Sequence, residues 1–189
     1  MMQLIPKSAQ TTTNWSGGTT TQLFIYPPEA NYTERNFLFR ISTATVETET
    51  STFTDLTGFN RILILLNGQL TITHNNNQTH VLTPYQPHYF DGGWQTTAVG
   101  KVTDFNVISN PAVKADVKVV ELEANQSTQI NTAASWVCLY VTKGVIKVLQ
   151  QKEEITVNEN DFLVINSTHE IELLALQNSL GVVSFIHLH

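Results

Sequence analysis

All three arginines in this chain of 189 residues lie in its first half, at Arg35, Arg40 and Arg61. Arg40 carries the sharpest chemical signal. In Phe37-Leu38-Phe39-Arg40-Ile41-Ser42, strand alternation sets Arg40 with Leu38 and Ser42 on one face and Phe37, Phe39 and Ile41 on the other. A guanidinium cannot shed its charge, so burying one requires an acidic partner or an anionic ligand. Its planar fork matches the two oxygens of a carboxylate. Arg61 opens the apolar run Ile62–Leu66, and Asp104 and Asn106, two residues apart, share one face of their own segment. Together these four could grip a small acid and read its remaining polar atoms. A purely structural alternative pairs Arg40 with Asp104 as a latch and leaves Arg61 solvated.

A second candidate is the turn Trp15-Ser16-Gly17-Gly18. Gly17 and Gly18 permit positive φ and close backbone approach, freeing amides for an anion or carbonyl. Beyond them Thr20 and Gln22 alternate onto one face, and Trp15 could close the mouth of a cavity that Trp94 could also cap. The structural alternative is a hairpin turn stapled by Trp15. Ser16 has no nearby histidine base, and the double glycine lacks the third glycine of a dinucleotide loop. Cys138, the one cysteine, sits in an apolar stretch with no basic neighbour and reads as an inert packed thiol. Metal ligands must converge closely on one ion. His74, His80 and His88 in the first half place no His-x-His pair within a strand; in the second half His169 stands apart, and His187 and His189 have the right alternation but fall at the very end of the sequence. No cofactor or metal is expected.

The elements that must position these groups are strands. Thr, Val and Ile number 26, 17 and 13, against 10 Ala, and β-branched side chains favour the pleated sheet. Short alternating segments recur at 37–42, 61–66, 69–74, 103–108, 117–122, 136–142, 145–149, 162–165, 170–175 and 181–188. Turn formers such as Asn67-Gly68, Asp91-Gly92-Gly93 and Lys143-Gly144 separate them. A short helix is expected near Asn125–Ala134. The chain also repeats itself: Leu65–Ile72 aligns with Val141–Val148 at an offset of 76, placing Gly68 and Gly144 at equivalent hairpin turns. This predicts two β units, residues 1–110 and 111–189, the first carrying the polar site and the second a structural copy. The amino-terminal strand could add to the other unit's sheet.

Strand, glycine turn, strand, polar tip and turn is the rhythm of a cupin barrel. Trp15-Ser16-Gly17-Gly18-Thr19-Thr20 resembles the Trp-x-Gly-Gly-x-Thr signature of the HutD/Ves family. Arg40-Ile41-Ser42-Thr43-Ala44-Thr45-Val46 resembles its Arg-Ile-Ser-x-Ala-x-Val strand, and Phe53–Arg61 its Phe-Ser-x-x-x-Gly-x-x-Arg turn. Phe90-Asp91-Gly92 and Asp104–Val107 complete the series, with Asn60 and Gln22 standing where the family often has Asp and Glu. The resemblance implies an all-β fold of tandem cupin-type barrels. It also implies a role in histidine utilisation or stress response, with urocanate, formiminoglutamate or formylglutamate as the ligand class.

Composition narrows the function classes. A formal net charge of -6 argues against nucleic acid as a partner, because phosphate contacts need clustered Lys and Arg. No apolar run approaches the ~20 residues of a membrane span, and the start of the chain lacks the apolar core of a signal peptide. A cytoplasmic location is therefore expected. The reading is a small-molecule-binding, non-catalytic protein whose partner is a small carboxylate metabolite; the oligomeric state is open. Its expected ligand set is Arg40, Arg61, Asp104, Asn106, Ser42, Trp15, Gly17, Gly18, Thr20 and Gln22. The rivals are a cupin-type isomerase or hydrolase with Asp104 as base, and a protein-interaction module.

Overall fold

The computed structural model describes residues 1–75, 77–166 and 170–188. Strands dominate: β1 (Met2–Ile5), β2 (Thr11–Trp15), β3 (Gly18–Tyr26), β4 (Phe39–Val46), β5 (Thr50–Thr52), β6 (Asn60–Gly68), β7 (Leu70–His74), β8 (Gln78–Leu82), β9 (Pro87–Asp91) and β10 (Thr96–Val99). They continue as β11 (Val102–Ser109), β12 (Val113–Leu122), β13 (Ser127–Ile130), β14 (Trp136–Lys143), β15 (Val145–Gln150), β16 (Glu153–Asn158), β17 (Phe162–Ile165), β18 (Ile171–Ala175) and β19 (Ser179–Leu188). The protein is all-β, as its β-branched composition requires. No helix is long and apolar enough to cross a membrane among the described residues.

Two compact units result. The first, Thr11–Val113, holds a six-stranded sheet β2-β3-β4-β11-β6-β9 and a four-stranded sheet β5-β10-β7-β8. Leu63 and Leu65 from the larger sheet pack with Leu70, Ile72, Leu82 and Ala98 from the smaller, so the two inner faces share one core. The second unit, Met1–Gln10 with Lys114–His189, pairs sheets β1-β17-β14-β19-β12 and β13-β18-β15-β16 around an apolar core. Cys138 is buried on β14, alternating with the core residues Val137 and Leu139, and desolvation pushes its thiol pKa up.

The internal repeat is visible in the strand order. Adding eight to β4-β11-β6-β9 gives β12-β19-β14-β17, and adding eight to β5-β10-β7-β8 gives β13-β18-β15-β16. Gly68 and Gly144 are equivalent, at φ of 85° and 84°, but neither sits in a hairpin. Each is a corner, where the chain leaves one sheet (β6, β14) and enters the other (β7, β15). A Cβ at Gly68 would lie 2.6 Å from the Lys101 carbonyl oxygen, and one at Gly144 2.5 Å from that of Asn178. Both conformation and space therefore demand glycine.

Other expectations shift. The helix expected near Asn125–Ala134 is absent; the segment forms β13, whose Ile130 pairs with Ile171. Burying Ile130 against an existing strand outweighs the weak local helical preference. The first ten residues group with the second unit rather than with residues 11–110. Met2 and Leu4 pack on its core, and β1 extends its sheet through the register Met2↔Ile165 to Ile5↔Phe162. The strand expected from Phe37 begins at Phe39, and Phe37 instead joins Leu56, Phe59 and Ile108 in an apolar cluster of the first unit.

Candidate functional site

Strand register alone assembles the site. Ile108 on β11 pairs with Arg40 on β4 and with Arg61 on β6, so the two arginines flank it in one row. Neighbouring strands lie ~4.8 Å apart, which starts the two side chains about 10 Å from each other. The next row along the sheet is Gln22, Ser42, Asn106, Leu63 and His88, and the one after it Thr20, Ala44, Asp104 and Leu65. Residues two apart on a strand face the same way. Arg40, Ser42, Arg61, Asp104 and Asn106 therefore share one inner face, and they line a cavity of about 320 Å3 together with Trp15, Thr20, Tyr32 and Phe53.

Arg40 is held from two sides. Its Nε donates to Gln22 Oε1 at 2.9 Å and its Nη1 to Ser42 Oγ at 3.1 Å, while Tyr32 lies 4.5 Å below the guanidinium. Arg61 is held by rings, 4.8 Å from Phe53 and 5.3 Å from Phe90. Its Nε is buried without a hydrogen-bond partner, as is Asn106 Oδ1. Burial lowers the Arg40 pKa, and it lowers that of Arg61 to about 10. Burial pushes the Asp104 carboxyl the other way, up to about 7, against the pull of Arg61. Neither arginine reaches Asp104 at ion-pair distance among the described residues. The Arg40–Asp104 latch is not formed, and Arg61 is buried rather than solvated.

The glycine turn does something other than expected. The Trp15 ring lies over Gly17, and a Cβ on Gly18 would collide with the Thr45 carbonyl oxygen of β4. Gly17 also accepts a hydrogen bond from the Glu47 amide at 2.8 Å. Gly17 and Gly18 thus fit Trp15 and β3 against β4 and do not line the cavity; Trp15, 41% exposed, does. Gln22 acts through Arg40. Trp94 packs edge-on against His74, with ring centroids 5.2 Å apart, and does not cap the cavity.

Equivalent positions of the second unit show what the site replaces. Register makes Val137 the counterpart of Arg61, Gly181 that of Asp104 and Val183 that of Asn106. Space facing Gly181 is taken by Leu139 and Ile146. At these positions the second unit carries two valines and a glycine where the first carries the charged and polar groups of the cavity.

Sequence spacing missed Tyr32, which lies in an irregular segment with no periodicity, and Phe53, whose motif was visible but whose direction was not. It also missed a convergence of histidines. His74, His80 and His88 come from β7, β8 and β9, with ring centroids 5.0 to 6.0 Å apart. His169 and His189 lie outside the described residues. The Thr96 hydroxyl donates to the Trp94 carbonyl at 3.1 Å, so its single proton is used and His74 Nδ1 must donate to it at 2.8 Å. His74 Nε2 is then the acceptor for His88 Nε2–H, also at 2.8 Å. Donating through Nδ1 and accepting at Nε2, the His74 ring is neutral. Burial, with the neighbouring histidines, lowers the His88 pKa to about 4 and also lowers that of His74. Among the described residues no three His, Cys, Asp or Glu side chains are arranged to hold a metal ion.

Comparison with known proteins agrees with this architecture. The conserved protein of unknown function PA5104 from Pseudomonas aeruginosa PAO1 superposes with a TM-score of 0.87 at 18% identity, over 99% of each chain. HutD from Pseudomonas fluorescens SBW25, solved in a formate condition, gives 0.76 at 19% identity over 100% of each chain. The nickel(II) complex of the bacterial pirin YhhW from Escherichia coli gives 0.75 at 12% identity over 98% of each. Such likenesses establish the fold, tandem cupin-type barrels. Among curated proteins none matches. The HutD family pattern, however, matches residues 7–181 and so runs through both units, and the chain belongs to the HutD family.

Proposed function

We propose that the cavity of the first unit binds a small metabolite through its carboxylate, with Arg40 and Arg61 as the gripping groups. One observation carries the reading: two buried guanidiniums share a cavity, and among the described residues no ion pair to an acidic side chain compensates them. Arg61 Nε and Asn106 Oδ1 also stand buried and unpartnered, a donor and an acceptor awaiting a ligand. The volume, about 320 Å3, lies at the small end of the ~300–1,000 Å3 range of ligand pockets. Family membership supports intermediates of histidine degradation, urocanate, formiminoglutamate or formylglutamate, and a role in buffering or sensing them.

Thermal-shift titration with these acids tests the reading, since a ligand binding only the native state stabilises it by RT ln(1 + [L]/Kd). The Arg40→Ala variant should stay folded and lose the shift. Arg40→Lys should bind more weakly than the wild type, because an ammonium cannot make the paired contact. Unchanged binding in both variants refutes the assignment. Asp104 supports a second reading, an isomerase or hydrolase with this carboxyl as general base, because a carboxyl titrating near neutrality suits proton transfer. Product formation from the same acids, followed by NMR, separates the two.

A further inference from the structure

We infer that Asp104 couples occupancy of this cavity to a proton: the anion is accepted with the Asp104 carboxyl neutral, and an ionised Asp104 competes with the ligand for Arg61. The inference rests on the carboxylate-binding reading and adds its regulation. Its geometry is that of three charges on one inner sheet face. Asp104 is 6% exposed, with Leu65 and Ala44 beside it across the sheet, and it shares the cavity with Arg40 and Arg61. Arg61 is the cation whose attraction is felt at Asp104. A bound carboxylate would draw on that same guanidinium and place a second negative charge in the cavity. Two carboxylates close together in a poorly solvated space cannot both ionise cheaply, so one takes a proton. The ligand's carboxylate is fixed by both arginines, which leaves the proton to Asp104.

The other titratable groups around the site do not supply this behaviour. Arg40 on β4 and Arg61 on β6 stay charged throughout the neutral range. Tyr32 brings a phenol to the cavity lining beside Arg40. His74 on β7 and His88 on β9 are depressed below their usual range, and His80 on β8 faces them rather than Asp104. Asp104 is the group poised to change charge around pH 7, with its carboxyl at about that value.

By linkage, a ligand that raises a group's proton affinity must bind less well once that proton is lost. Formylglutamate is a suitable probe, because its own carboxyls titrate well below pH 6. Calorimetry on the intact protein between pH 6 and 8.5 should show a constant Kd up to about pH 7. Above that the Kd should rise, approaching tenfold per pH unit, with net proton uptake detectable by comparing buffers of different ionisation enthalpy. Asp104→Asn should bind with a flat profile and no proton uptake. A wild-type profile as flat as that of the variant, or a slope that survives in Asp104→Asn, overturns the coupling while leaving carboxylate binding intact. Absence of binding by the whole panel of acids at every pH overturns both readings.

Discussion

Replacing Asp104 by Asn should stabilise the empty protein, and by more at pH 8 than at pH 5. The native carboxyl titrates at about 7 against an ordinary 3.8, with burial as the dominant cause. Because the native pKa is raised, the folded chain binds more protons than the unfolded one between these values, and stability falls as pH rises through that window. A pKa difference of one between the folded and unfolded chain is worth ~1.4 kcal/mol, so the penalty grows to about 4 kcal/mol above pH 7. At pH 5 only about 1.6 kcal/mol of it has developed. The pH-dependent part between pH 5 and 8 is thus about 3 kcal/mol, and water penetration into the cavity reduces it to about 1–3 kcal/mol. Asn keeps the shape and has no charge to desolvate. Urea denaturation of both proteins at pH 5, 6, 7 and 8, followed by tryptophan fluorescence, measures the difference; the histidine contributions cancel because both proteins share them. A difference constant within about 0.5 kcal/mol would show that burial is not decisive. A reversal, with Asp104 stabilising the protein at high pH, would show an ion pair with Arg61 instead and refute the reasoning from geometry.

Arg61→Met should leave the empty protein as stable or more stable, because methionine can stack between Phe53 and Phe90 without an unpaired Nε; chemical denaturation checks this, and the carboxylate-induced thermal shift should vanish. Gly68→Ala and Gly144→Ala should each destabilise by more than about 1 kcal/mol, measured by the same denaturation, since both need φ near 85° and a Cβ would press on a carbonyl oxygen. His88, titrating natively at about 4, is neutral where the unfolded chain is already protonated, so stability should fall as pH drops from 6.5 towards 4. His88→Gln should flatten that limb of the melting temperature against pH.

Much of this was written in the periodicity of two. Alternation put Arg40 with Ser42 and Asp104 with Asn106, and register then needed only to lay the strands side by side. Pairing across strands is a non-local property, which is why three histidines from separate strands looked scattered and why the alternative of a solvated Arg61 stood open until register placed it beside Ile108. The Gly68 and Gly144 turns were visible as breaks, but a break between strands does not say whether the chain returns in the same sheet or crosses to another. Gly17 and Gly18 resembled an anion cradle because glycine permits close approach; what approaches is the Trp15 ring and the Thr45 carbonyl. Ser127–Ile130 had too little alternation to declare itself a strand, and its state is decided by β18 beside it. Tyr32 carries no pattern at all. Its place beneath Arg40 comes from the path of an irregular segment.

The pairing of β1 with β17 has a kinetic side. Met2 meets Ile165 across 163 positions of sequence, so the second sheet cannot be completed until nearly the whole chain has left the ribosome, whereas Thr11–Val113 has every strand it needs much earlier. Closing so long a loop is slow compared with forming local pairs. Once made, and until that loop closes, the Phe162–Ile165 edge, apolar at all four positions, stands open to any extended segment that reaches it. Residues 2–5 of a neighbouring nascent chain are an equally good fit, which makes strand exchange between copies the characteristic misassembly of this architecture. A short peptide carrying Met2–Ile5 is correspondingly the natural agent to cap that edge in a chain that lacks its own.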